Sequence, residues 1–203
     1  MNQPLLLTGF EPFLNVSINP SGEVARRLSG RVLESAAGQV EIVGAVLPVS
    51  FSRAPMAHSE ALAGLPAPPV AIVSLGVHRG PEFRLETRAG VQYASGQPDN
   101  DGQMGAGILL DGPEQLETPF DLIACESWLV EAGAPATMIS GDAGGYLCER
   151  VFRAGLDAPG VPALFLHVPP VEALGIDEQV RVVEGFLARL VGGPSRGPSR
   201  GPS

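Results

Sequence analysis

The chain has 203 residues, of which 44% are hydrophobic, and a formal net charge of -9. That length and apolar content suit one soluble domain with a real core. The acidic balance excludes general nucleic-acid binding, which needs a basic face, and no apolar run reaches the roughly 20 residues that span a bilayer.

Leu5 to Leu7 is a short apolar run closed by Thr8-Gly9, the pattern of a strand buried on both faces. Pro20 to Leu28 reads as a helix with Asn19 as N-cap and Pro20 at its first position. Val40 to Val49 reads as a strand. Phe51 to Ala63 reads as a helix opened by Ser50 and closed near Gly64, with Pro55 tolerated close to its first turn. Val70 to Leu75 is another strand, and Phe83 to Tyr93 alternates as one longer strand. From Ala94 to about Leu110 the chain is a loop, dense in turn formers at Pro98-Asp99-Asn100-Asp101-Gly102. Phe120 to Ala132 reads as a helix, Ala136 to Ile139 as a strand and Tyr146 to Leu156 as a helix. Ala163 to Val168 is a strand and Asp177 to Val191 a closing helix.

Strands alternating with helices predict an α/β fold, a single-domain αβα sandwich over residues 1–192 with a largely parallel twisted sheet. Sites in such sheets lie beyond the carboxyl ends of strands, where Thr8-Gly9-Phe10, Gly76-Val77, the Gly141 loop and His167 fall. Residues 193–203 repeat Gly-Pro-Ser-Arg, a low-complexity tail that cannot form a core and is expected to be disordered. The N-terminus shows no signal-peptide pattern, and two cysteines make no disulfide framework. The expectation is a cytoplasmic protein with reduced thiols.

Cys148 follows a small-residue loop, Gly141-Asp142-Ala143-Gly144-Gly145, and falls in the first turn of a helix. There the helix dipole and free amides lower a thiol's pKa, so the residue reads either as a nucleophile or as a packed thiol. Cys125 reads as core filler. His58 lies mid-helix and is expected to be solvated; His78 follows a strand, in a position to line a pocket. His167 ends a buried strand, as a satisfied core histidine or as a site residue. Glu86 lies within a strand, where acidic residues are disfavoured. It either faces water or points inward, and then needs a partner such as histidine. Phe10 and Phe13 read as core residues on pattern alone. No Gly-x-Ser-x-Gly elbow, P-loop, dinucleotide fingerprint or metal-ligand spacing is present.

Several ordered segments point further. They are Leu7-Thr8-Gly9-Phe10-Glu11-Pro12-Phe13 with Asn19-Pro20, Pro98-Asp99-Asn100, Asp111-Gly112-Pro113-Glu114, Ala143-Gly144-Gly145-Tyr146-Leu147-Cys148 and Leu166-His167-Val168-Pro169. Together they resemble the pyroglutamyl peptidase I family, also called pyrrolidone carboxyl peptidases, over nearly the whole chain apart from the tail. The resemblance implies a cysteine exopeptidase on a single αβα domain that removes N-terminal pyroglutamate from peptides. It implies a triad of Glu86, Cys148 and His167, and a ring pocket built from Phe10, Phe13, Asn19, Val77, Tyr146 and Leu147. It implies no metal or organic cofactor, and a homo-oligomer, commonly a tetramer in bacteria. The chain departs from the family pattern in three places. Gly144-Gly145 and Glu149 stand where Gly-Thr and Asn are usual, the stretch from Cys148 to His167 is short, and Gly96-Gln97 replaces a basic residue before Pro98. Glu149 beside the thiol is expected to raise its pKa. A related cysteine amidase acting on another small acyl amide, or a binding homologue without turnover, are the alternative readings.

Overall fold

In the computed structural model of the chain, described for residues 2–13, 17–36, 38–92, 95–105, 107 and 110–192, β1 (Gln3–Phe10) is buried from its second residue to its last. A strand apolar on both faces must be covered on both faces, and the elements that follow provide the cover. In chain order they are α1 (Pro20–Leu28), β2 (Val32–Ser35), β3 (Gly38–Leu47), α2 (Arg53–Ala63), β4 (Ile72–Val77), β5 (Phe83–Glu86), β6 (Arg88–Gly90) and β7 (Gln115–Glu117). Then come α3 (Leu122–Glu131), β8 (Thr137–Ser140), α4 (Leu147–Leu156), β9 (Ala163–Val168) and α5 (Ile176–Gly192). Seven strands form one sheet in the order β2-β3-β1-β4-β9-β5-β8, and β6 pairs with β7 in a separate ribbon. Helices α1, α3 and α5 cover one face, with Leu5, Leu7, Val73, Leu75, Leu164 and Leu166 beneath them. Helices α2 and α4 cover the other, where Phe10 and Phe165 of the sheet pack with Phe152 of α4. This is the expected αβα sandwich.

The sheet is mostly parallel, but its polarity reverses twice. β2 runs antiparallel to β3, and β5 runs antiparallel to β9. Since β8 runs parallel to β5, its carboxyl end does not lie with those of β1, β4 and β9. The Gly141 loop was expected at that common end; instead it leaves from the far side and has to return over the sheet to start α4.

Local chemistry sets several boundaries. Asn19 caps α1 through its side chain, which accepts from Ser21 N, and Pro20 takes the first turn, as expected. Helix α1 lies almost on the strand backbone. A Cβ at Gly9 would sit 2.2 Å from the Ser21 carbonyl oxygen, and one at Gly44 would sit 2.3 Å from that of Ala25. Only glycine permits that approach. Helix α2 starts at Arg53, later than expected, because Phe51 and Ser52 form a preceding turn over which the Ser50 hydroxyl accepts from Arg53 N at 3.2 Å. The expected long strand from Phe83 to Tyr93 is two strands. Thr87 N donates to Ser140 O, the Thr87 carbonyl accepts from Thr118 N, and Arg88 onward leaves the main sheet to pair with β7. Tyr93 and the 193–203 tail lie outside the described residues.

His58 is also unlike its expectation. It is 1% exposed rather than solvated, and its Nε2 has no hydrogen-bond partner among the described residues. Burial lowers its pKa to about 4. The neutral ring is therefore the form that folds. Stability from this site is complete above the unfolded value of about 6.5 and is lost as pH falls through 4, up to about 3 kcal/mol. Urea unfolding of the wild type and His58→Leu should show that extra loss between pH 6.5 and 4 only in the wild type; equal pH profiles would refute it.

Candidate active site

Strand β9 places alternate residues on opposite faces. Phe165 and His167 point to the α2/α4 side, while Leu164 and Leu166 join the other core. His167 is 3% exposed. On β5 the same alternation puts Arg84 and Glu86 on that side, with Arg84 opposite His167 and Glu86 opposite Phe165 in the register. Glu86 is fully buried, and its Oε1 lies 2.8 Å from His167 Nδ1. A carboxylate only accepts, so Nδ1 carries the proton and Nε2 is left without one. Arg84 Nε donates to the same Oε1 at 3.0 Å.

Cys148 reaches this group from α4. Gly76 of β4 lies opposite His167 of β9 in a parallel register, so a side chain at 76 would point to the same face as the imidazole. A Cβ there would be 2.7 Å from Cys148 Sγ. The thiol thus occupies the space of the missing Gly76 side chain, beside His167. Both residues line one cavity of about 990 Å³. Phe165 completes the packing, with its ring centroid 4.9 Å from that of His167.

A smaller recess next to the thiol is lined by Phe10, Phe13, Asn19, Val77, Tyr146 and Leu147, with Val49 added. All six expected pocket residues therefore meet at Cys148. Tyr146 is held by its hydroxyl, which donates to Pro98 O at 3.0 Å, and by an edge contact with Phe51. The turn-rich loop is organised by Asp99, whose carboxylate accepts from the backbone N–H groups of Phe51, Asp101 and Gln103. Asn100 Nδ2 donates to the Pro12 carbonyl, tying this loop to the N-terminal segment.

The electrostatics differ from the sequence expectation. Burial pushes the Cys148 thiol up to about 12, against the helix terminus. Burial also lowers the pKa of His167, with the Glu86 hydrogen bond opposing it. The resting pair is a neutral thiol beside a neutral imidazole. Glu149 contributes a small upward push on the thiol, but its carboxylate is turned to backbone amides. It accepts from Gly90 N at 2.6 Å and from Gly145 N at 3.3 Å. In this way it clips the loop before Cys148 to β6. Gly144 and Gly145 have φ of 93° and 62°, which glycine alone adopts easily.

Cys125 is buried in the α3/α5 core, as its pattern suggested. His78 borders the cavity, its ring centroid 5.6 Å from that of His167. Arg84 was missed in the sequence, although two residues apart in a strand share a face and Arg84 stands two before Glu86. No group of three or more His, Cys, Asp or Glu arranged to hold a metal occurs among the described residues, and no helix there is long and apolar enough to cross a membrane.

A thiol and an imidazole at one cavity, with a buried carboxylate on the imidazole, are the groups a cysteine-type hydrolase needs. The chain belongs to the pyroglutamyl peptidase family, whose model matches residues 3–183. Similar proteins include the pyrrolidone-carboxylate peptidase of Halalkalibacterium halodurans, 32% identical over 185 residues that cover 86% of this chain and 87% of that one. Another is the pyrrolidone-carboxylate peptidase of Pseudomonas fluorescens, 30% identical over 194 residues, covering 92% and 88%. Among solved structures, the pyrrolidone carboxyl peptidase of Fervidobacterium islandicum superposes with a TM-score of 0.82 at 26% identity, covering 93% of this chain and 98% of that one.

Proposed function

We propose that the chain is a pyroglutamyl peptidase that works through Cys148, His167 and Glu86 by way of an acyl-enzyme. The observation that carries the reading is the convergence of the Glu86–His167 pair and Cys148 beside a small apolar recess. Pyroglutamate is a small neutral lactam without a free α-amine. A recess of Phe10, Phe13, Val77, Tyr146 and Leu147 accepts such a ring and disfavours a charged amine, which is costly to desolvate without a partner.

Because thiol and imidazole are both neutral at rest, attack starts with proton transfer. Nε2 of His167 takes the Sγ proton as Sγ bonds to the carbonyl carbon that follows the lactam. Glu86 holds Nδ1–H and stabilises the imidazolium so formed. Helix α4 has no side-chain cap at Tyr146, so its first amides are available to the oxyanion. The tetrahedral adduct expels the amine, which takes its proton from Nε2. Water, deprotonated by His167, then cleaves the thioester and releases pyroglutamate.

The test is hydrolysis of a pyroglutamyl aminomethylcoumarin amide beside its prolyl and glutamyl counterparts. Turnover of the first alone supports the reading. Equal turnover of all three, or of an acyl amide lacking the lactam, favours a broader amidase, and no turnover refutes the reading.

A further inference from the structure

We infer that Arg84 is a positioning residue for this site, fixing the Glu86 carboxylate and, through it, the ring of His167. The inference rests on the peptidase reading. Arg84 is the direct cross-strand partner of His167, yet its Nε donates to Glu86, on the same Oε1 that receives His167 Nδ1–H. Two donors, at 3.0 and 2.8 Å, meet on one oxygen. The other oxygen, Oε2, is buried and has no partner among the described residues. Apart from His167 itself, Arg84 is therefore the one hydrogen-bond donor among the described residues that keeps the Glu86 carboxylate from turning about its terminal bond. Arg84 is also the cation beside a fully buried carboxylate, and a buried charge without a partner is strongly disfavoured. The guanidinium keeps most of its bulk inside, lines the large cavity, and reaches the Asp142 carbonyl at the root of the nucleophile loop. One side chain thus touches the strand that bears the carboxylate, the cavity that bears the thiol, and the loop between them.

Several charged or titratable groups face the imidazole. These are Glu86 and Arg84 from β5, His78 from the segment after β4, and Cys148 from α4, with Glu149 one residue further on. Arg84 and His78 disfavour the imidazolium, while Glu86 favours it. Arg84 also favours the thiolate, against Glu86 and Glu149. Removing the guanidinium therefore makes both the imidazolium and the neutral thiol harder to deprotonate. The acidic limb of the rate profile should move to higher pH.

The experiment compares wild type, Arg84→Met and Arg84→Lys on a pyroglutamyl aminomethylcoumarin amide from pH 5 to 9. For Arg84→Met the expectation is a fall in kcat of roughly 10- to 100-fold with KM little changed, since a misplaced base is penalised in the transition state. Its acidic limb should shift upward. Arg84→Lys restores the charge without the fixed fork, so its limb should return toward that of the wild type while kcat recovers only in part. Should Arg84→Met fail to fold, the limb of Arg84→Lys and the pH midpoint of its Cys148 alkylation by iodoacetamide decide the matter; a kcat and a midpoint both equal to wild type overturn the inference. So does an Arg84→Met enzyme with wild-type kcat and profile, or one altered in KM alone. An inactive wild type overturns the peptidase reading itself; an active wild type with an indifferent Arg84 overturns only the role given to this residue.

Discussion

Cys148→Ala is expected to lose cleavage of a pyroglutamyl amide by at least roughly 10⁴-fold in kcat while melting close to the wild type. The side chain is small and sits at the cavity wall, so its removal opens little space in the core. Its loss, however, removes the only thiol in reach of His167, because Cys125, on α3, is buried in the core on the opposite face of the sheet. Cys125→Ala should therefore keep turnover and keep sensitivity to iodoacetamide. The high thiol pKa adds a second expectation. Alkylation of Cys148 should be slow at neutral pH and speed up toward alkaline pH, unlike a thiolate that stands ready. Iodoacetamide rates and kcat in the two variants check both points; a live Cys148→Ala enzyme would end the assignment.

Gly76→Ala should be nearly as damaging, for a geometric reason. The new methyl would lie 2.7 Å from Cys148 Sγ and 2.9 Å from Phe165 Cζ. Phe165 cannot yield, since it is fully buried against Phe152 and His167. The thiol is the freer partner, so it moves, and it moves away from the imidazole. A displacement near 1 Å is worth about 10²-fold in rate, whereas the overpacking itself costs about 1–3 kcal/mol in stability. Measured together, kcat should fall much further than the melting temperature explains. A variant with wild-type kcat/KM would show that Sγ does not sit over β4.

Much of this was visible in the chain and some was not. β9 is found where its apolar run predicted, and α1 starts where Asn19-Pro20 signals a start, because both signals are local. The segments β2 and β7 were not read as strands. β2 is short with Val32 exposed, and β7 is three residues of which two are exposed, so neither shows a strand's apolar pattern. The break at Thr87 is made by partners 31 and 53 residues away, Thr118 and Ser140, and the alternation runs straight through it. The burial of His58 and the raised pKa of Cys148 are likewise tertiary effects; the helix terminus was legible, but the desolvation that outweighs it was not. Phe10, Phe13, Asn19, Tyr146, Leu147, Cys148 and His167 stood in short motifs, whereas Arg84 needed only the two-residue period of a strand.

The reversal of strand direction between β9 and β5 divides the machinery by rigidity. His167 and Glu86 are rungs of a hydrogen-bonded ladder and cannot shift without tearing the sheet. The sulfur instead stands in the first turn of α4, behind a loop with left-handed glycines at 144 and 145 that Glu149 and Arg84 hold at its two ends. Under the proposed roles, substitutions confined to residues 141–149 should move the thiol while leaving the imidazole–carboxylate pair where the sheet holds it.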